Sequence, residues 1–284
     1  RVGRYADASA ANVRAAAVDE QYIAQCNAQG FYPALYYPHN IHFLWAASSM
    51  EGRGEVAIDA ARKVADNVRL EQIEEFPMVE FFHTIPLLAL VQFGRWDEVL
   101  AEPQPVANLH YSNAIWHYAR GVALASTGDL DTAGAELEGL REFKGSEQID
   151  SLVTMAYPAT DLLEIADALL EGEIAMASDN LDSAVTHFGT AVGIQDALPY
   201  MEPPFWYYPT RQSLGVALFR AERFDEAEAV YRQDLVDYPR NGWSMFGLWQ
   251  SLEAQGESDA ADETRQLFET AWAQADIELM ASRL

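Results

Sequence analysis

Cysteine is almost absent from this 284-residue chain: Cys26 stands alone, which excludes an internal disulfide framework and a zinc site built on thiolates. Basic residues are scarce too. Eighteen Lys and Arg face forty-four Asp and Glu, a formal charge of −26. Nucleic acid is bound by displacing counterions from phosphate with a basic stripe, and nothing of that kind is present. The same shortage argues against docking on an anionic membrane. Long apolar runs are missing as well: stretches such as Ile85 to Val91 fall well short of the roughly 20 residues that span a bilayer. There is no Gly-x-Ser-x-Gly elbow and no glycine-rich phosphate cradle, and signals for strands are lacking. The opening Arg1-Val2-Gly3-Arg4 leads straight into helix-forming alanines and does not read as a signal sequence. That leaves the compartment, cytoplasmic or periplasmic, open.

What is abundant is apolar side chain, 50% of the residues, arranged with helical spacing and punctuated by recurring Gly and Ala. Leu214-Gly215, Ala227, Tyr231 and Pro239 define one unit, and Leu248 and Ala261 repeat its positions 34 residues on. Gly172, Ala184, Phe188 and Ala191 fit an earlier unit; Gly121, Gly128 and Ala133 fit another. Further matches are Gly94-Arg95-Trp96-Asp97-Glu98 and Gly52-Arg53 with Ala57. Repeats are therefore predicted to begin near residues 38, 80, 114, 165, 208 and 242, with half a unit, its second helix only, over 1–20. The aromatic–proline pairs Tyr37-Pro38, Phe76-Pro77, Tyr157-Pro158 and Tyr208-Pro209 each precede a helical pattern, as expected where proline fills a first helical turn. Small residues let paired helices approach closely, and no pair can bury its apolar face alone, so the units must stack. The pattern predicts an all-α chain, a single right-handed α-α superhelix of about six and a half helix pairs over 1–284. The broken stretch from Pro199 to Trp206 is predicted to be a loop that packs its aromatics on a neighbouring surface.

These motifs resemble the tetratricopeptide repeat family over nearly the whole chain. More narrowly, Tyr36-Tyr37-Pro38-His39-Asn40-Ile41-His42-Phe43-Leu44, Met50-Glu51-Gly52-Arg53 and Phe93-Gly94-Arg95-Trp96-Asp97-Glu98 look like a group of bacterial repeat proteins of unassigned activity. In that group a histidine-bearing helix, roughly HMPSHIY, precedes the segment similar to Arg1–Ala6. The resemblance thus implies the C-terminal part of a longer protein, with an apolar N-terminal face that the missing helix, or a second copy in a homodimer, would cap.

Scaffolds of this kind bind protein or peptide segments along the groove lined by the first helix of each repeat. Applied here, that rule nominates His39, His42, Phe81, Thr84, Trp116 and Tyr118 as groove residues. The basic and Asn positions of the carboxylate-gripping mode known in the family are not matched. A competing reading is a metal site. His39 and His42, three apart on one helix face, with His83 and Glu80 from the next repeat, could ligate zinc or a similar divalent transition metal. The expectation adopted is a binding scaffold without catalytic activity or cofactor, its groove aromatic and weakly polar.

Overall fold

A computed structural model describes residues 2–26 and 37–284. Among them the chain is all-helical, with no β-strand, and no helix is long and apolar enough to cross a membrane. Helix α1 (Tyr5–Cys26) is followed by α2 (Tyr37–Met50) and α3 (Gly54–Asp66), then by the short α4 (Leu70–Glu75). A 3-10 helix, Pro77–Thr84, runs into α5 (Ile85–Gln92), and the short α6 (Trp96–Ala101) follows. Next come α7 (His110–Thr127), α8 (Leu130–Phe143) and α9 (Glu147–Thr154), and then α10 (Ala159–Ala177) with α11 (Leu181–Ala197). The last two pairs are α12 (Arg211–Arg220) with α13 (Phe224–Asp237), and α14 (Gly242–Gln255) with α15 (Ser258–Ala271).

Packing runs in chain order. Helix α1 lies on α2, α2 on α3, α3 on α5, and α5 on α7; α7 touches α8 and α10. The line continues through α11, α12, α13, α14 and α15, each against its predecessor. The glycines of the repeat pattern sit where helices meet. Gly215 of α12 and Gly247 of α14 both face the ring of Tyr231 on α13, and a Cβ on either would come within 2.3 and 2.2 Å of that ring. Gly172 stands in the same relation to Phe188. One aromatic ring thus takes the room left by two absent side chains.

Polar networks stitch adjacent pairs. Arg141 of α8 donates to both carboxylate oxygens of Asp167 on α10, at 3.0 and 2.8 Å, and to Glu171 at 2.6 Å. Lys144 reaches the same Asp167 at 2.8 Å. His117 and Arg120 of α7 share Glu136 of α8.

The second helix of the sequence unit beginning near residue 80 is only six residues long, and its first helix starts as 3-10. Pro86 has no N–H for the carbonyl of Phe82, so the regular α ladder takes hold only from Ile85. Helix α1 is longer than the predicted half-unit. It buries Ser9, Ala16 and Asp19, while Val13 and Val18 stay exposed on its outer side.

A feature not foreseen is that the two ends of the helical series touch. Trp243 of α14 donates its indole N–H to the carbonyl of Ser49 at the end of α2, 2.9 Å away. The segment 272–284 then crosses back over the array. Trp272 lies against Gly52, whose φ of +70° suits the residue with no side chain, and against Gly242. Asp276 caps α3, accepting from the backbone N–H of Gly54 at 2.6 Å and of Glu55 at 3.1 Å. Further on, Ser282 bonds the Tyr231 hydroxyl at 2.6 Å, and Arg283 reaches Ser213 at 2.8 Å and the Tyr208 hydroxyl.

Candidate binding cleft

The candidate cleft forms around the connection from α11 to α12. Proline supplies no N–H for a helical ladder, and Pro199, Pro203, Pro204 and Pro209 keep this connection irregular. The aromatics of its second half turn inward instead. Trp206, Tyr207 and Tyr208 are buried. The Tyr207 hydroxyl pairs with that of Tyr118 on α7 at 2.9 Å, and Phe205 packs edge-on against Tyr157, whose hydroxyl donates to Tyr111 at 3.1 Å. Gln195 of α11 pins the far end, donating to the Tyr208 carbonyl at 3.0 Å and accepting from the N–H and hydroxyl of Thr210.

Two depressions flank this loop. An open cleft of about 610 Å³ lies between α11, the loop and α13, lined by Leu198, Tyr200, Phe205, Val236 and Tyr238. Tyr200 and Val236 are 74% and 70% exposed, high values for apolar side chains facing a concavity. Asp196 and Asp237 supply acid at its margin; Arg211 holds Asp196 through two bonds of 2.7 and 2.6 Å. On the other side of the loop a narrower cavity of about 240 Å³ is roofed by Glu202 to Pro209 and floored by α1 and α2. A third, much smaller space of about 10 Å³, the size a single water fills, lies beneath Tyr207 and Tyr208. Gln92, Gln212 and Arg283 line it, and each has a buried side-chain nitrogen without a protein partner.

The residues nominated from sequence are distributed differently from the expected groove. Tyr118 and Thr84 are fully covered, so neither offers a surface: the chain's own loop occupies the side of α7 that an incoming segment would have used. Trp116 donates to the Glu102 carbonyl at 3.0 Å and stacks under Arg120, 4.5 Å from its guanidinium. Phe81 belongs to an aromatic cluster with Phe82, Tyr157 and His42. His42 itself stacks on Trp45 at 5.3 Å between ring centroids. Burial among these rings, helped by the neighbouring His39, pulls its pKa down to about 3 and keeps it neutral.

The four residues weighed as metal ligands do not share one coordination sphere. His39 is exposed beside Phe43; His83 sits 2.6 Å from the Val68 carbonyl through Nε2; and Glu80 is buried, accepting the Ser112 N–H at 2.8 Å. Burial raises the Glu80 carboxyl above its ordinary range, with that N–H pulling the other way. Among the described residues no three of His, Cys, Asp and Glu converge as a metal ion requires. Spacing of i, i+3 brought His39 and His42 onto one helix, but they face different neighbours.

The loop Tyr200–Pro209 and Val236 were not nominated from sequence as binding residues. Only the proline and aromatic density of residues 199–206 marked the region. Compared with known proteins, the chain matches no family model and no curated protein.

Proposed function

We propose that the chain is a non-catalytic scaffold that binds a protein or peptide segment, its hairpins stacked as a right-handed superhelix of the tetratricopeptide type. Helices packed in chain order, with glycine–aromatic contacts inside the pairs α10/α11 and α12/α13 and one between pairs, Gly247 on Tyr231, support the stacking. The observation that carries the binding role is the open cleft beside the α11–α12 loop. It places Tyr200 and Val236 in solvent beside Asp196 and Asp237, two carboxylates that share the single cation Arg211 and so leave the rim net acidic, on a chain whose net charge is −26. Apolar side chains on a concave, carboxylate-edged surface suit a partner segment carrying aliphatic residues with Lys or Arg nearby. Aromatic anchors in such a cleft would supply most of the binding energy.

Selection of peptides from a random display library, followed by calorimetric titration of the winners, tests the reading. Enriched peptides should pair apolar with basic residues, and Tyr200→Ala with Val236→Ser should weaken them at least tenfold while Trp116→Ala leaves them unchanged. Failure to enrich any sequence, or binding indifferent to the cleft pair, would refute it.

A further inference from the structure

The cavity on the opposite side of the loop has a chemistry distinct from the cleft. Its walls come from four separate parts of the chain: Tyr5 of α1, Phe43 and Met50 of α2, the loop, and Tyr238 at the end of α13. Six aromatic residues, Tyr5, Phe43, Trp206, Tyr207, Tyr208 and Tyr238, border one space of about 240 Å³. Ala8, Ala46 and Ala47, all small, open the floor between them, and Pro203, Pro204 and Pro209 contribute ring methylenes rather than N–H groups. Among the described residues no Lys, Arg or His lines the space, and the one charged side chain there is Glu202. Its carboxylate is exposed and steadied by the hydroxyl of Tyr200.

We propose that this aromatic cavity binds an alkylated ammonium group, quaternary in preference to primary. The faces of aromatic rings carry negative potential and attract a cation. A single carboxylate at the mouth adds a matching charge, and the −26 of the whole chain raises the local concentration of cations. The preference for alkylation follows from the lining. A primary ammonium brings three N–H donors that would lose their water, while the hydroxyls of Tyr207 and Tyr208 in the lining are already engaged with Tyr118 and Ser213. A trimethylammonium group has no donors to satisfy, and its methyl groups gain from the same apolar walls. A neutral alkyl group of equal shape would gain the burial and forgo the attraction of rings and carboxylate, so charge is the discriminating property.

The test uses the intact protein and two probes of nearly identical shape, choline and its neutral isostere 3,3-dimethyl-1-butanol, titrated by calorimetry. Choline should bind at least tenfold more tightly. Glu202→Gln, at an exposed position, should weaken choline about fivefold and leave the isostere unchanged. Phe43→Leu, its fold checked by circular dichroism, should weaken choline with little effect on the isostere. A peptide bearing trimethyl-lysine then identifies the source: tighter binding than choline means the group arrives on a polypeptide, and equal or weaker binding means a free small molecule. Equal affinity for the two probes, no saturable choline binding, or choline binding insensitive to both substitutions would overturn the proposal. The two sites share Pro204, Trp206 and Tyr238, but Val236→Ser touches the cleft alone and Phe43→Leu the cavity alone, so the failure of one conclusion is distinguishable from the failure of the other.

Discussion

Adding one methyl group at Gly247 separates packing from helix propensity. In an exposed helix interior Gly→Ala stabilises by about 1 kcal/mol, because glycine gives up more backbone freedom on folding. Gly247 has no room for that gain. A Cβ there would lie 2.2 Å from Cζ of Tyr231 and 2.6 Å from two further ring carbons. Ordinary carbon contacts begin near 3.5 Å, so the ring would have to move by roughly 1 Å. It cannot retreat toward α12, where Gly215 already meets the same ring, nor swing freely, since its hydroxyl is tied to Ser282 and the side chain is 1% exposed. Overpacking of this kind costs about 1–3 kcal/mol or somewhat more, which outweighs the propensity gain. Gly247→Ala should therefore destabilise by about 1–3 kcal/mol in urea denaturation. Gly189 of α11, where a Cβ would meet nothing within 4 Å, should show the opposite sign when changed to Ala, a gain of up to about 1 kcal/mol. Combining Gly247→Ala with Tyr231→Leu should cost less than the sum of the two, because the ring that clashes is gone. A Gly247→Ala protein as stable as Gly189→Ala, or strictly additive effects in the pair, would refute the seam.

Other outcomes follow from individual polar groups with defined partners. Asp276→Ala removes the cap of α3 and should lower stability by about 1–2 kcal/mol, with faster amide exchange at Gly54 and Glu55; Asp276→Asn, which keeps an acceptor oxygen, should lose less. Asp234, fully buried between Asn241 and Ser244, has its pKa pushed up to about 7 by burial, with Arg211 opposing and Asp237 reinforcing the shift. The folded state thus holds a proton that the unfolded chain releases near pH 4, and the stabilisation present below that pH is lost as pH rises toward 7. Asp234→Asn should flatten this decline and be more stable than wild type at pH 8, by on the order of 2–4 kcal/mol; unchanged pH–stability profiles would show that the carboxyl is ionised in place. His42 works in the other direction. Kept neutral when folded, it withdraws stability as pH falls below about 6.5, and His42→Phe should remove that acid loss in thermal melts between pH 6.5 and 4.

Helix content was legible because it is local. Small residues at Gly215, Gly172 and Ala227, proline near helix starts and 3.6-residue apolar spacing each report on a few neighbours in the chain. They mark the long helices, while Phe76-Pro77 opens a 3-10 turn, Pro209 stays two residues ahead of α12, and the short α4 and α9 carried no such mark. Tyr157-Pro158 announced α10, which runs from Ala159 to Ala177. The groove was not legible, because exposure is a property of distant partners. Nothing near Tyr118 indicates that Tyr207, 89 residues later, covers it. The pairing of Asp276 with Gly54 spans 222 residues and leaves no trace in either local pattern. Histidine spacing likewise specified a shared helix for His39 and His42 but said nothing about which rings would surround each.

A linear stack of repeats normally melts from its extremities inward, since a terminal unit has a neighbour on one side only. Here the indole of Trp243 on the Ser49 carbonyl and the carboxylate of Asp276 on α3 give α2 and α3 a further neighbour from about 200 residues later in the chain. Opening of α14, or of the segment that follows α15, must then also break contacts with α2 and α3. The molecule should come apart in one cooperative step, and severing the clasp should restore the graded, end-first melting of an open array.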